Sequence, residues 1–98
     1  MNETSWFAMN GVKVPAISVI PTITFDMHTQ AERWSLQVDL DRAELGEYRA
    51  LVQNFVVMDL VFLDGNFQVR RGRAVLASAL AMGGGVVRLA WLGRGRLR

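Results

Sequence analysis

Ninety-eight residues, 51% apolar and 20% charged, make one folded domain and exclude a disordered chain. There is no cysteine, which excludes disulfides and thiolate metal sites. The net charge of +2 conceals a break at Asp64-Gly65: four basic against nine acidic residues give residues 1–64 a charge of −5, and seven arginines with no acid give residues 65–98 +7.

Trp6-Phe7-Ala8-Met9 is predicted as a short strand. Asn10-Gly11 then forms a hairpin turn, both positions needing positive φ, and Val12-Lys13-Val14 returns until Pro15 ends the pairing. Ile17–Phe25 is β-branched and long; Pro21 inside it places it at a sheet edge or a bulge. Met27–Glu32 is a polar loop. Arg33–Leu40 alternates, with Trp34, Leu36, Val38 and Leu40 on one face, and reads as a half-buried strand. Asp41 caps a short helix over about residues 41–53, with Glu44 completing a capping-box-like pattern. Leu45, Tyr48, Leu51 and Val52 share its apolar face and dock on that of Trp34–Leu40, while Gly46 weakens the helix by roughly 1 kcal/mol relative to Ala.

Phe55–Leu63, apolar on both faces except Asp59, predicts a central strand covered on both sides. Asp64-Gly65-Asn66 is a hairpin turn, and Phe67–Arg71 returns from it. Gly72 breaks or bulges the strand before Arg73–Met82. That last stretch holds good helix formers, but turn glycines bound it on both sides and favour a strand. Gly83-Gly84-Gly85 turns into a final strand, Val86–Leu92, with Val87, Leu89 and Trp91 inward and Arg88 outward. The order is a hairpin, two strands, a short helix and four antiparallel strands. The expected fold is mainly β: a small antiparallel β-barrel or sandwich with one short α-helix. Residues 1–93 form the single domain, and 94–98 are a basic tail expected to fray, so that its removal leaves stability nearly unchanged.

The N-terminus, Met1–Ser5, lacks the pattern of a signal peptide. The longest charge-free stretch, Ala74–Val87, is too short to span a membrane as a helix and contains three glycines, so no membrane partner is expected. His28 is the only histidine; with Asp26 two positions away it makes neither a metal site nor a triad. Gly83–Gly85 is not followed by a phosphate-loop signature. Asp39 and Asp41 share one side of a strand end, which reads as a solvated end plus a helix cap rather than a catalytic pair. No enzyme activity, metal or cofactor is expected.

The arginines remain. They suit phosphate neutralisation, with Phe67 and Trp91 available to stack on bases. They also suit a solvated sheet edge that discourages strand pairing. The third reading sets them against carboxylates of a neighbouring copy, which the acidic first part of the same chain supplies. It is the reading preferred here. The candidate interface is Arg70, Arg71, Arg73, Arg88, Arg94, Arg96, Leu97 and Arg98.

A resemblance points the same way. The run Trp34–Leu40, Asp41-Arg42-Ala43-Glu44-Leu45, Val56–Leu63, Gly72-Arg73-Ala74-Val75-Leu76-Ala77-Ser78 and Val86–Leu92 with Gly93-Arg94-Gly95-Arg96-Leu97 is similar to tail-tube-like proteins of tailed bacteriophages. Gly72, Ala74 and Ser78 stand at the places of a "G-x-A-x-x-x-S"-like strand, and Gly93, Gly95 and Leu97 at a closing "G-x-G-x-L". Met9-Asn10-Gly11-Val12-Lys13-Val14-Pro15 resembles the "N-G-V-x-[LV]-P" start of small phage tail proteins. The resemblance implies a non-enzymatic β-barrel working in many copies in a virion assembled in the host cytoplasm: a tail-tube, tail-completion or baseplate component. Its partners would be copies of itself and other phage structural proteins. A capsid decoration protein and a small nucleic-acid-binding β-barrel are the alternatives.

Overall fold

The structure, a computed structural model, describes residues 5–98. Residues 1–4, which hold Glu3 and most of the stretch read for a signal peptide, lie outside the described residues. In chain order, β1 (Ser5–Met9) and β2 (Val12–Ala16) form one hairpin, and β3 (Ser18–Asp26) and β4 (Ala31–Asp41) a second. Then come α1 (Leu45–Asn54), β5 (Val57–Leu63), β6 (Val69–Gly83) and β7 (Val86–Arg94). The fold is mainly β with one short helix, as the sequence implies. Seven antiparallel strands form one sheet in the order β2-β1-β5-β6-β7-β4-β3. The two edge strands, β2 and β3, are consecutive and joined by Ile17 alone. Close approaches of β1 to β3 and of β2 to β4 curl the sheet, which is not closed into a barrel.

The turn chemistry works as the residues dictate. Asn10 and Gly11 sit at φ 48 and 84, the backbone a two-residue hairpin needs. Asn10 also exchanges bonds with β5: its side-chain oxygen accepts the Asp59 N–H at 2.8 Å, and its own N–H reaches the Asp59 carbonyl at 2.8 Å. Pro15 and Pro21 fall on edge strands, where a missing ladder donor is tolerated. β2 therefore stays paired through Ala16 rather than ending at Pro15.

Four expectations about the helix and the strands that follow it change. First, α1 starts at Leu45, with Glu44 in the N-cap position and no side-chain cap bond. Asp41 remains in β4, paired with Val86, and the Arg42 N–H bonds the Gly85 carbonyl at 2.8 Å, so the ladder holds the residues that would have begun the helix. Second, α1 packs chiefly on β6 rather than on β4, with Tyr48 buried. Third, β5 is covered on one face only: Leu60 and Phe62 are buried, while Val57 and Asp59 are exposed. Fourth, Gly72 does not interrupt β6, so three strands follow the helix instead of four; the register shifts of β6 fall later, at Leu76/Ser78 and Ala81/Gly83.

The reason for Gly72 is Trp34. The indole is 4% exposed and lies across two glycines. A Cβ on Gly72 would stand 2.6 Å from Trp34 Cζ2, and one on Gly93 would stand 2.3 Å from the indole nitrogen. No real Cβ contact is that short, so both positions must be bare for the ring to fit. Phe62 packs at 5.8 Å between ring centroids, and Trp34 Nε1 donates to the Gly95 carbonyl at 3.1 Å. Beyond this cradle the core runs through Leu36, Val38, Leu76, Leu89 and Trp91 on the concave face of the sheet.

Residues 94–98 do not hang free. After Arg94, Gly95 at φ 83 lets the chain bulge, and Arg71 and Arg98 then exchange backbone bonds of 3.0 and 2.7 Å. Leu97 is turned inward, 7% exposed, beside Gly72. Its N–H donates to Glu32 Oε1 at 3.3 Å. The expected fraying tail is thus a docked segment, because one leucine fills the space the missing Cβ of Gly72 leaves.

Candidate functional site

The eight candidate interface residues divide into three groups. Arg70 and Arg88 are committed within the chain. Arg88 grips Asp39 across the β4–β7 ladder with Nε–Oδ1 at 2.9 Å and Nη2–Oδ2 at 3.1 Å, the forked geometry that suits guanidinium and carboxylate. Arg70 lies 3.4 Å from Asp64, whose carboxylate also accepts the N–H groups of Asn66 and Gln68 at 2.8 and 3.0 Å to hold the hairpin turn. Leu97 belongs to the core. These three were expected to meet a neighbour; the fold uses them internally.

The other five arginines gather. On β6, alternation around the inward Gly72 turns Arg71 and Arg73 to the outer face, and the ladder sets Arg94 opposite Arg73. The Gly95 bulge and the Arg71–Arg98 bonds return Arg96 and Arg98 to the same place. They line a groove of about 290 Å³ in which Asp59 is the one carboxylate side chain among the described residues. The pairing there is loose: Arg73 Nε is 3.7 Å from Asp59 Oδ1, with both side chains 69% exposed. Exposed pairs of this kind add little to stability. Among the described residues, Arg71, Arg94, Arg96 and Arg98 have no carboxylate in ion-pair range. Five guanidiniums, three on strands and two on the docked C-terminal segment, line the groove with one carboxylate side chain, an arrangement that suits anionic groups. Sequence reasoning found the members but not the grouping, which depends on the β6–β7 register.

The other candidates resolve differently. Asp26 accepts the backbone N–H of His28 at 2.9 Å and of Thr29 at 3.3 Å, so it shapes a turn and does not orient the imidazole. Those bonds hold its carboxyl below the usual range, that from His28 first. Among the described residues no three His, Cys, Asp or Glu side chains gather to hold a metal. Trp91 is fully buried, so it is not a stacking platform; Phe67, at the β5–β6 turn, is 85% exposed.

Asp39 titrates low because Arg88 hydrogen-bonds its charged form. A depressed folded pKa stabilises the native state above the ordinary carboxylate value, about 3.9, and that contribution fades as pH falls through the lowered value. The wild type should therefore melt higher than Asp39→Asn at pH 7, with the gap shrinking below about pH 4. Melting curves that stay parallel from pH 7 to pH 2 would remove the pair from the acid response.

No protein family, characterised protein or solved structure matches this chain.

Proposed function

We propose that this chain is a structural protein of a tailed-bacteriophage particle that assembles in many copies, as a tail-tube, tail-completion or baseplate component, without catalytic activity. The phage assignment rests on the sequence resemblance; several motif positions that carry it, Gly72, Ala74, Gly93 and Leu97, surround Trp34 or share its core. The many-copy role rests on one observation: β3 is a nine-residue edge strand whose outer side has no strand partner among the described residues, and it exposes Ile20, Ile23 and Phe25. An edge so long and apolar is a template for strand addition, and soluble monomers usually blunt such edges with charge. β3 carries no Lys or Arg, and its one charge, Asp26, stands at its end.

Capsid decoration would use the same surface elsewhere in the particle. The nucleic-acid reading keeps the arginine groove but loses Trp91 as a stacking partner.

The test is sedimentation of the purified chain beside Ile20→Lys/Phe25→Lys. Both positions are more than half exposed, so melting should be unchanged. The wild type should associate with rising concentration, and the double variant at least tenfold more weakly. A wild type that stays monomeric, and takes up no other particle protein, refutes the proposal.

A further inference from the structure

Internal pairing leaves two unbalanced sets of charge. Asp39, Asp64 and Asp26 are engaged by Arg88, by Arg70 with the turn N–H groups, and by a turn of their own. Glu32 accepts the Leu97 N–H, and Asp59 lines the groove. Of the acids among the described residues, that leaves Asp41, Glu44 and Glu47, all exposed and without an ion pair there. They sit together where β4 ends and α1 begins, three carboxylates against the single guanidinium of Arg42.

The acidic segment and the groove lie at opposite ends of the same strand. Asp41 stands opposite Val86, the first residue of β7, and Arg94 is the last. At about 3.3 Å per step, those ends are roughly 26 Å apart. Salt screens exposed charges beyond about 10 Å at 0.1 M, so the two patches do not satisfy each other within one copy.

We infer that the segment Asp41–Glu47 of one copy docks into the arginine groove of the next, a head-to-tail contact between copies of this chain. This deepens the many-copy reading and rests on it. The charges are complementary, five guanidiniums and one carboxylate facing three carboxylates and one guanidinium. The two patches are different surfaces, so the contact is heterologous: it leaves an unused acidic end and an unused groove on every growing assembly, and it closes into a ring or continues as a stack. Charge pairs of this sort set orientation and encounter rate more than affinity, while the β3 edge supplies the apolar part.

The test uses the full chain with two charge-reversed variants, Arg94→Glu/Arg96→Glu and Glu44→Arg/Glu47→Arg, all four positions being exposed. Each variant alone should lose the salt-sensitive part of its association, by tenfold or more in dissociation constant at low salt. An equimolar mixture should recover it, because each then presents one matching pair. Recovery also demonstrates that both variants fold. If the wild type associates and neither reversal changes its strength or salt dependence, the head-to-tail contact is wrong and the many-copy reading stands. If the wild type never associates, both fall. If association is untouched but binding of a labelled oligonucleotide is lost in Arg94→Glu/Arg96→Glu alone, the groove takes nucleic acid and the inference is overturned.

Discussion

Trp34→Ala will lower the stability of the fold by about 3–5 kcal/mol, the range for removing a buried aromatic ring. The indole is 4% exposed and lies over Gly72 and Gly93. Those glycines cannot move in to fill the space, because β6 and β7 hold them in register through Arg73–Arg94 and Ala74–Gly93. The Gly95 carbonyl also loses its donor. In a domain of this size the loss is about 12 °C or more in melting midpoint. Trp34→Phe should recover part of it by refilling the cradle without the hydrogen bond. An unchanged midpoint for the alanine variant would put the ring outside the core.

Removing residues 95–98 will destabilise the domain by about 2–5 kcal/mol, because it removes a buried leucine side chain. The deletion takes away Leu97, the acceptor of the Trp34 N–H and the Arg71–Arg98 backbone pair together. Leu97→Ala alone should produce most of the loss, whereas Arg96→Ser, at an exposed position, should produce almost none. Urea melts of the three variants separate these outcomes. A deletion that melts with the full chain would mean that the segment is detached in solution, as its composition alone implies.

The contrast marks where the sequence was legible. The alternation Trp34–Leu40 and Val87–Trp91 reads directly as a half-buried strand, since side chains on a strand have period two and one face must be apolar. Asn10-Gly11 reads as a turn because few residue types accept its backbone, and Asp64-Gly65-Asn66 because an Asp side chain can bond the N–H groups that follow it, as Asp64 does with Asn66 and Gln68. Gly72 was read as a break or bulge and is neither: a glycine in a strand can also mark a close approach, and here the distant Trp34 makes one. Leu97 was hidden for a similar reason, one apolar residue among arginines and glycines whose partner lies across the sheet.

The charge break was legible as a total but not as a set of pairs. Arg88 and Asp39 are 49 positions apart, and Arg70 and Asp64 only 6. The tally gave both the same weight as the arginines left unpaired. The helix start was misplaced because Asp41 suits two jobs, capping a helix and ending a strand, and pairing with Val86 took it for the second.

The cradle around Trp34 also has a consequence for the order in which the chain folds. The hairpins β1–β2, β3–β4 and β6–β7 close over short loops, but none of them contains the ring together with its two glycines and Leu97. Trp34 meets Gly95 across 61 positions, and Leu97 meets Glu32 across 65. Loop-closure entropy for such contacts is lost before packing returns it, which places chains of this topology among the slow folders, in roughly milliseconds to seconds. Any chain that has paired β3 with β4 before the indole is seated displays the same edge. If the chain assembles as proposed, concentration acts twice on it: on finished subunits, and on any chains that meet before the indole is seated.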